Sequence, residues 1–148
     1  MKHSLELNKK SWTSLKLVLA GLLSCALLWA SEEVASSKAM ELLMGFKDEG
    51  FVNVRGERRG FLANEGVLQQ RIKLFKGQEY LAVVGGDDDV EAMTITVLDR
   101  KGKETLLKSE PGDGKVTIRF TPEKKDKYKF VINALGKGGY YHFSLVTK

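Results

Sequence analysis

The sequence predicts an all-β fold, an antiparallel, jelly-roll-like β-sandwich with a short N-terminal α-helix. Three observations carry that reading. Beyond Gly50, apolar and polar residues alternate in run after run, the period of strands with one face on a core. Turn signals built on Gly and Pro recur between the runs at roughly 8–12 residue intervals, as in a sandwich or barrel. No helical pattern long enough for a βαβ crossover follows Phe46.

The first element is an export signal over residues 1–30. Lys9, Lys10 and Lys16 precede the uncharged run Leu17 to Ala30, and small and polar residues follow. Fourteen residues are short of the about 20 that cross a bilayer, so a cleaved signal fits better than a permanent anchor. Ala30 suits the cleavage position, before Ser31-Glu32-Glu33. An uncleaved anchor is the alternative. Cys25, the only cysteine, follows Leu22-Leu23-Ser24 in the manner of a bacterial lipoprotein signal. The apolar Ala26-Leu27-Leu28-Trp29 departs from that pattern. Lipidation at Cys25 is therefore an expectation beside simple export.

Residues 31–50 read as a short amphipathic helix and linker. Ala35, Ala39, Leu42, Leu43 and Phe46 share one helical face. Ser31 or Ser36 is placed to cap its start, and Gly45 or Gly50 to end it.

Residues 51–148 form the sandwich. Leu68, Ile72 and Leu74 interleave with Gln69, Arg71 and Lys73; Met93, Ile95 and Val97 alternate with Thr94 and Thr96. Val116-Ile118-Phe120, Tyr128-Phe130-Ile132 and Tyr141-Phe143-Leu145 repeat the pattern. Tyr80 to Val84 is continuously apolar, as a central strand would be. Lys76-Gly77-Gln78, Arg100 to Lys103, Pro111 to Gly114 and Lys137-Gly138-Gly139 are turns.

The 118 residues after Ala30 contain no cysteine, so packing alone must hold the domain, as in many exported proteins of Gram-negative bacteria. The whole chain carries a net charge of +5. The signal holds four of the 24 basic and one of the 19 acidic residues, which leaves +2. The clusters Arg55-Gly56-Glu57-Arg58-Arg59 and Lys124-Lys125-Asp126-Lys127 are broken by acids and read as solvated turns. Nucleic-acid binding is not expected on this balance.

From Leu74 to Leu145 the chain resembles the bacterial pre-peptidase C-terminal domain, a β-sandwich appended to secreted proteases and other exported proteins. The matching pieces are Leu74-Phe75-Lys76-Gly77-Gln78-Glu79-Tyr80, Asp87-Asp88-Asp89, Thr94 to Asp99 with Gly102, Phe120-Thr121-Pro122, Tyr128 to Val131, and Gly139-Tyr140-Tyr141. The resemblance implies a jelly-roll-like sandwich that aids secretion or binds a polymer such as collagen or polysaccharide. The usual aspartate inside the strand after the acidic loop is missing at Val90 to Met93, and no protease domain is present in this sequence.

Chemistry-bearing residues are sparse. Asp87, Asp88, Asp89 and Glu91 form the densest carboxylate cluster, a calcium candidate without the spacing of a known calcium loop. His142 is the only histidine beyond the signal and reads as a surface residue, since metal or triad chemistry needs partners that the sequence does not single out. Most aromatic positions lie on core faces; Tyr140, beside Gly138-Gly139, is the candidate for an exposed ligand-contacting ring. No catalytic residue stands out. The expectation is a non-catalytic binding or accessory module of the bacterial periplasm or envelope, or a secreted one, with a polysaccharide or an envelope protein as ligand. Contact with a membrane would come only through an uncleaved or lipidated N-terminus. An envelope-anchored structural component or lipoprotein is the alternative. A hydrolase would need a carboxylate pair gathered in a cleft.

Overall fold

The computed structural model of the chain describes residues 31–148. The expected export segment, its cleavage point and Cys25 lie outside the described residues. Residues 31–45 are helical (α1), followed by a 3₁₀ turn, Lys47–Glu49. Gly50 ends it in the left-handed region, φ 92°, its N–H donating to the Lys47 carbonyl. Eight strands follow: β1 Asn53–Leu62, β2 Val67–Leu74, β3 Tyr80–Gly86, β4 Ala92–Leu98, β5 Thr105–Lys108, β6 Lys115–Phe120, β7 Asp126–Leu135 and β8 Gly139–Thr147. No helix among the described residues is long and apolar enough to cross a membrane.

The strands form two four-stranded antiparallel sheets. The front sheet has the order β1-β8-β3-β6 and the back sheet β2-β7-β4-β5. Their facing sides supply the main core: Tyr80, Val84, Phe143 and Leu145 in front, Met93, Ile95, Phe130 and Ile132 behind. The rings of Phe130 and Phe143 meet across it, 5.9 Å between centroids.

A second apolar layer lies on the outer side of the front sheet. Leu81, Val83 and Val146 point there, and Ala39, Leu42, Leu43, Phe46 and Phe51 cover them. This is the helical stripe read from the sequence, docked where its spacing requires. All seven residues of β3 are therefore buried, which explains the unbroken apolar run. The close approach depends on Gly85. A Cβ there would collide with the Ala35 carbonyl oxygen and the Ala39 nitrogen on α1. Lys38–Asp88 (2.8 Å), Glu41–Lys115 and Glu49–Arg119 (2.6 Å) fasten the helix around its rim. Arg119 also stacks over Phe46, 5.0 Å from its ring centre.

The segment Arg55 to Arg59 is not a turn. It is the middle of β1, an edge strand whose backbone pairs with β8 from Asn53↔Thr147 to Leu62↔Gly139. At a sheet edge, backbone pairing and a charged rim form a strand with little apolar alternation, so the period-two signal is weak there. The far side of β1 faces solvent.

Replacing Gly85 with Val should destabilise the domain by about 1–3 kcal/mol or more, through overpacking against helix backbone that cannot yield locally. Thermal melting reads the loss, and limited proteolysis should show cleavage moving into residues 31–45.

Candidate binding surfaces

The acidic loop between β3 and β4 is committed to structure. Asp87 is 3 % exposed. Its Oδ1 accepts the N–H of Asp89 (3.1 Å) and its Oδ2 the N–H of Tyr140 (3.1 Å). Its own N–H donates to the Tyr140 carbonyl at 3.0 Å. A side chain at Gly139 would collide with this carboxylate. Asp87 thus clamps the loop to the start of β8. Asp88 turns to Lys38, Asp89 to Lys137 (2.5 Å), and Glu91 accepts the Lys137 N–H at 3.2 Å. Among the described residues, no three His, Cys, Asp or Glu side chains are grouped to hold a metal ion. The four expected calcium ligands are neighbours in sequence that serve three different elements.

Tyr140 lies on the outer side of β8 and is half-buried. Its register partner on β1 is Phe61, which is 63 % exposed. The rings stand edge to face, 5.4 Å apart. Arg59 and Glu57 continue along the same side of β1, with Arg59 Nη2 at 2.7 Å from Glu57 Oε1. Val67 and Leu135 leave further apolar surface exposed at this end of the sandwich. Phe61 went unnoticed in the sequence because it lies just past Arg55 to Arg59, a stretch read as a turn; only the pairing of β1 with β8 brings it to Tyr140.

His142 reverses the expectation of a surface residue. It is 3 % exposed, because α1 covers the outer face of β8 that a two-layer sandwich would leave in water. Its Nε2 lies 2.8 Å from Glu57 Oε1 and 3.3 Å from Ser144 Oγ. The carboxylate partner holds the proton on Nε2 and leaves Nδ1 as a buried acceptor with no partner among the described residues. Ser, His and Glu meet here without composing a triad. In a triad the nucleophile and the orienting carboxylate use opposite ring nitrogens, and here both use one. Burial, then the Arg59 cation, holds the His142 pKa below its ordinary value of 6.5, against the pull of Glu57.

At the opposite end, a cleft of about 350 Å³ opens between the β4–β5 turn and the β6–β7 loop. Phe120 and Tyr128 form part of its lining, edge to face at 5.0 Å, together with Asp99, Glu104, Glu123 and Asp126. The Asp99 carboxylate accepts the Glu104 and Lys103 N–H groups, which keep it ionised well into acid. An acid held charged is unsuited to the proton-donor role of a glycosidase pair, though not to the role of base or nucleophile.

The outer side of the back sheet carries cations. Core-facing Ile72, Tyr128, Phe130 and Val97 put Arg71, Lys73, Lys127 and Lys129 on the opposite face. Arg71 stands directly across from Lys129, and Lys73 across from Lys127.

Two outcomes check these assignments. Asp87→Ala should cost about 1–3 kcal/mol by leaving buried backbone donors unpaired, and the melting curves should be the same with added calcium or chelator. For His142, the depressed folded-state pKa means that the unfolded chain binds the proton first. Stability is therefore full above pH 6.5 and lost as pH falls through the lower folded value. Melting temperature should fall between pH 7 and pH 5, and His142→Gln should flatten that slope.

No protein-family model matches the chain, and no curated protein does. Solved structures do match it. The pre-peptidase C-terminal domain of a Bacillus anthracis collagenase aligns over 64 % of this chain and 90 % of its own, at 12 % identity and TM-score 0.53. PliG from Aeromonas hydrophila, a periplasmic lysozyme inhibitor of g-type lysozyme, covers 68 % and 90 % at 13 % identity, TM-score 0.51. CorA from Methylomicrobium album BG8, a surface-associated copper-binding protein, covers 62 % and 93 % at 11 % identity, TM-score 0.51. The chain therefore has the β-sandwich fold that its resemblance to the pre-peptidase C-terminal domain implies.

Proposed function

We propose that the protein is an exported, non-catalytic accessory module of the bacterial periplasm or envelope. It engages another envelope protein through the Phe61–Tyr140 surface. One observation carries the reading: a large aromatic ring, 63 % exposed, is held against a second ring by strand pairing rather than by a loose loop. Exposed apolar surface on a rigid element marks a contact site, and aromatic residues ringed by polar groups dominate protein interfaces. Arg59 and Glu57 supply such a rim. The leader pattern supports export, and the similar folds of a periplasmic inhibitor and a surface-associated protein accord with it. The non-catalytic reading rests on the shared nitrogen of the His142 cluster, which does not form a triad.

The test compares wild-type protein with the Phe61→Ala/Tyr140→Ala variant as bait for envelope extracts. Each truncation of a central aromatic should weaken retention of the captured protein by about 2 kcal/mol, or roughly thirtyfold. Both rings sit at the surface, so the variant should melt within a few degrees of wild type. Equal retention by the two proteins would sink the assignment of this surface.

A further inference from the structure

We propose that the outer face of the back sheet is a second binding surface, which takes an acidic polysaccharide. It is a different face from the one that carries Phe61 and Tyr140, and the argument for it is electrostatic.

Like charges directly opposite each other on adjacent strands destabilise a sheet. This sheet has two such pairs in succession, Arg71↔Lys129 and Lys73↔Lys127. Lys108 of β5 lies on the same face, across from Thr96 of β4. Every charged side chain that β2, β4, β5 and β7 turn outward is thus a cation. Among the described residues, none of the five lies within 4.0 Å of a carboxylate, whereas Lys38, Lys115, Arg119, Lys137 and Lys148 are each paired with one. Cations such as Lys47, Arg55 and Lys76 also lack a carboxylate partner among the described residues; what distinguishes this block is that strand register sets its cations directly opposite one another. A hollow of about 350 Å³ extends it, lined by Lys73, Arg100, Lys125 and Lys127, with Asp126 as its acid. Asp126 is already engaged by the Lys127 N–H at 2.8 Å and by Arg100 at 4.0 Å. A folded domain that keeps such self-repulsion relieves it by binding an anion of matching pattern.

The occupant follows from what else shares the face. Opposed residues on paired antiparallel strands lie about 4.5–5.5 Å apart, and successive residues on one face of a strand about 7 Å apart. The block is therefore a flat lattice suited to charges repeated along an extended chain. Gln69 and Asn133 continue it with neutral donors and acceptors suited to hydroxyl groups. No aromatic residue of these strands points outward, so nucleic-acid bases would have no stacking platform. The exposed apolar Val67 and Leu135 sit at the far end, away from the cations, and the apolar neighbours Leu98 and Val131 are half-buried in the sheet, so the face lacks the protruding apolar stripe that enters a membrane. Repeated anions with hydroxyls between them describe a polysaccharide bearing carboxylate, sulfate or phosphate groups.

The experiment measures binding of the full-length protein to immobilised polygalacturonate, with neutral dextran as control, across a salt series. Wild type should bind polygalacturonate and not dextran, with affinity falling as salt rises. The Arg71→Gln/Lys129→Gln variant should bind about tenfold more weakly, because two anion contacts are gone. It should melt at or above the wild-type temperature, since an opposed cation pair has been removed. A Lys47→Gln/Arg55→Gln variant, which loses the same charge elsewhere, should bind as wild type. Equal losses in the two variants, no binding to polygalacturonate, or binding only to phosphatidylglycerol vesicles or duplex DNA would overturn the proposal.

Discussion

The centre of the front sheet has no face in water. β3 and β8 pack against the back sheet on one side and beneath α1 on the other, and the remaining features of the domain follow from that enclosure. It demands the continuous apolar run of β3. It demands a glycine at position 85, where helix backbone meets sheet backbone. It takes His142 out of solvent, so that a polar strand position becomes a desolvated base in contact with Glu57. With no cysteine after Ala30, this three-layer packing performs the work that disulfides perform in many small domains.

Enclosure also decides where recognition is placed. The middle of the front sheet is covered, so accessible side chains are left on its β1 rim, at the loop ends and on the uncovered back sheet. Phe61 and Tyr140 sit where the rim strand passes its neighbour beyond the helix. The acidic loop beside them serves as a clamp, because Asp87 spends both carboxylate oxygens on backbone N–H groups. The cations of the back sheet lie on the one broad face that no other described element covers. The net charge of +2 over residues 31–148 is thus the sum of unlike regions, mixed around α1 and uniformly positive on the outer face of the back sheet.

Most of the sandwich was legible because alternation reports burial directly. The runs around Leu74, Ile95, Ile118, Phe130 and Phe143 became strands with the expected residues inward, and Ala35 to Phe46 became the expected helical stripe. What remained hidden depended on partners distant in sequence. β1 has little alternation of its own and exists through its register with β8. Reading His142 as exposed assumed two layers, whereas the helix adds a third. Tyr140 was visible beside its glycines, but Phe61 needed the β1–β8 pairing to reach it. The basic residues at 71, 73, 127 and 129 looked dilute along the chain. Only the β2–β7 register stacks them into one block.

The open margin of β1 has a further consequence. Alternate residues of its backbone turn unpaired hydrogen-bonding groups outward, the template from which proteins stack edge to edge. The charged side chains of Arg55, Glu57, Arg58 and Arg59 stand along that margin, so a strand docking there would meet a charged rim. Because the deterrent is electrostatic, it fades as ions crowd in. Protection of this edge is therefore strongest at low ionic strength.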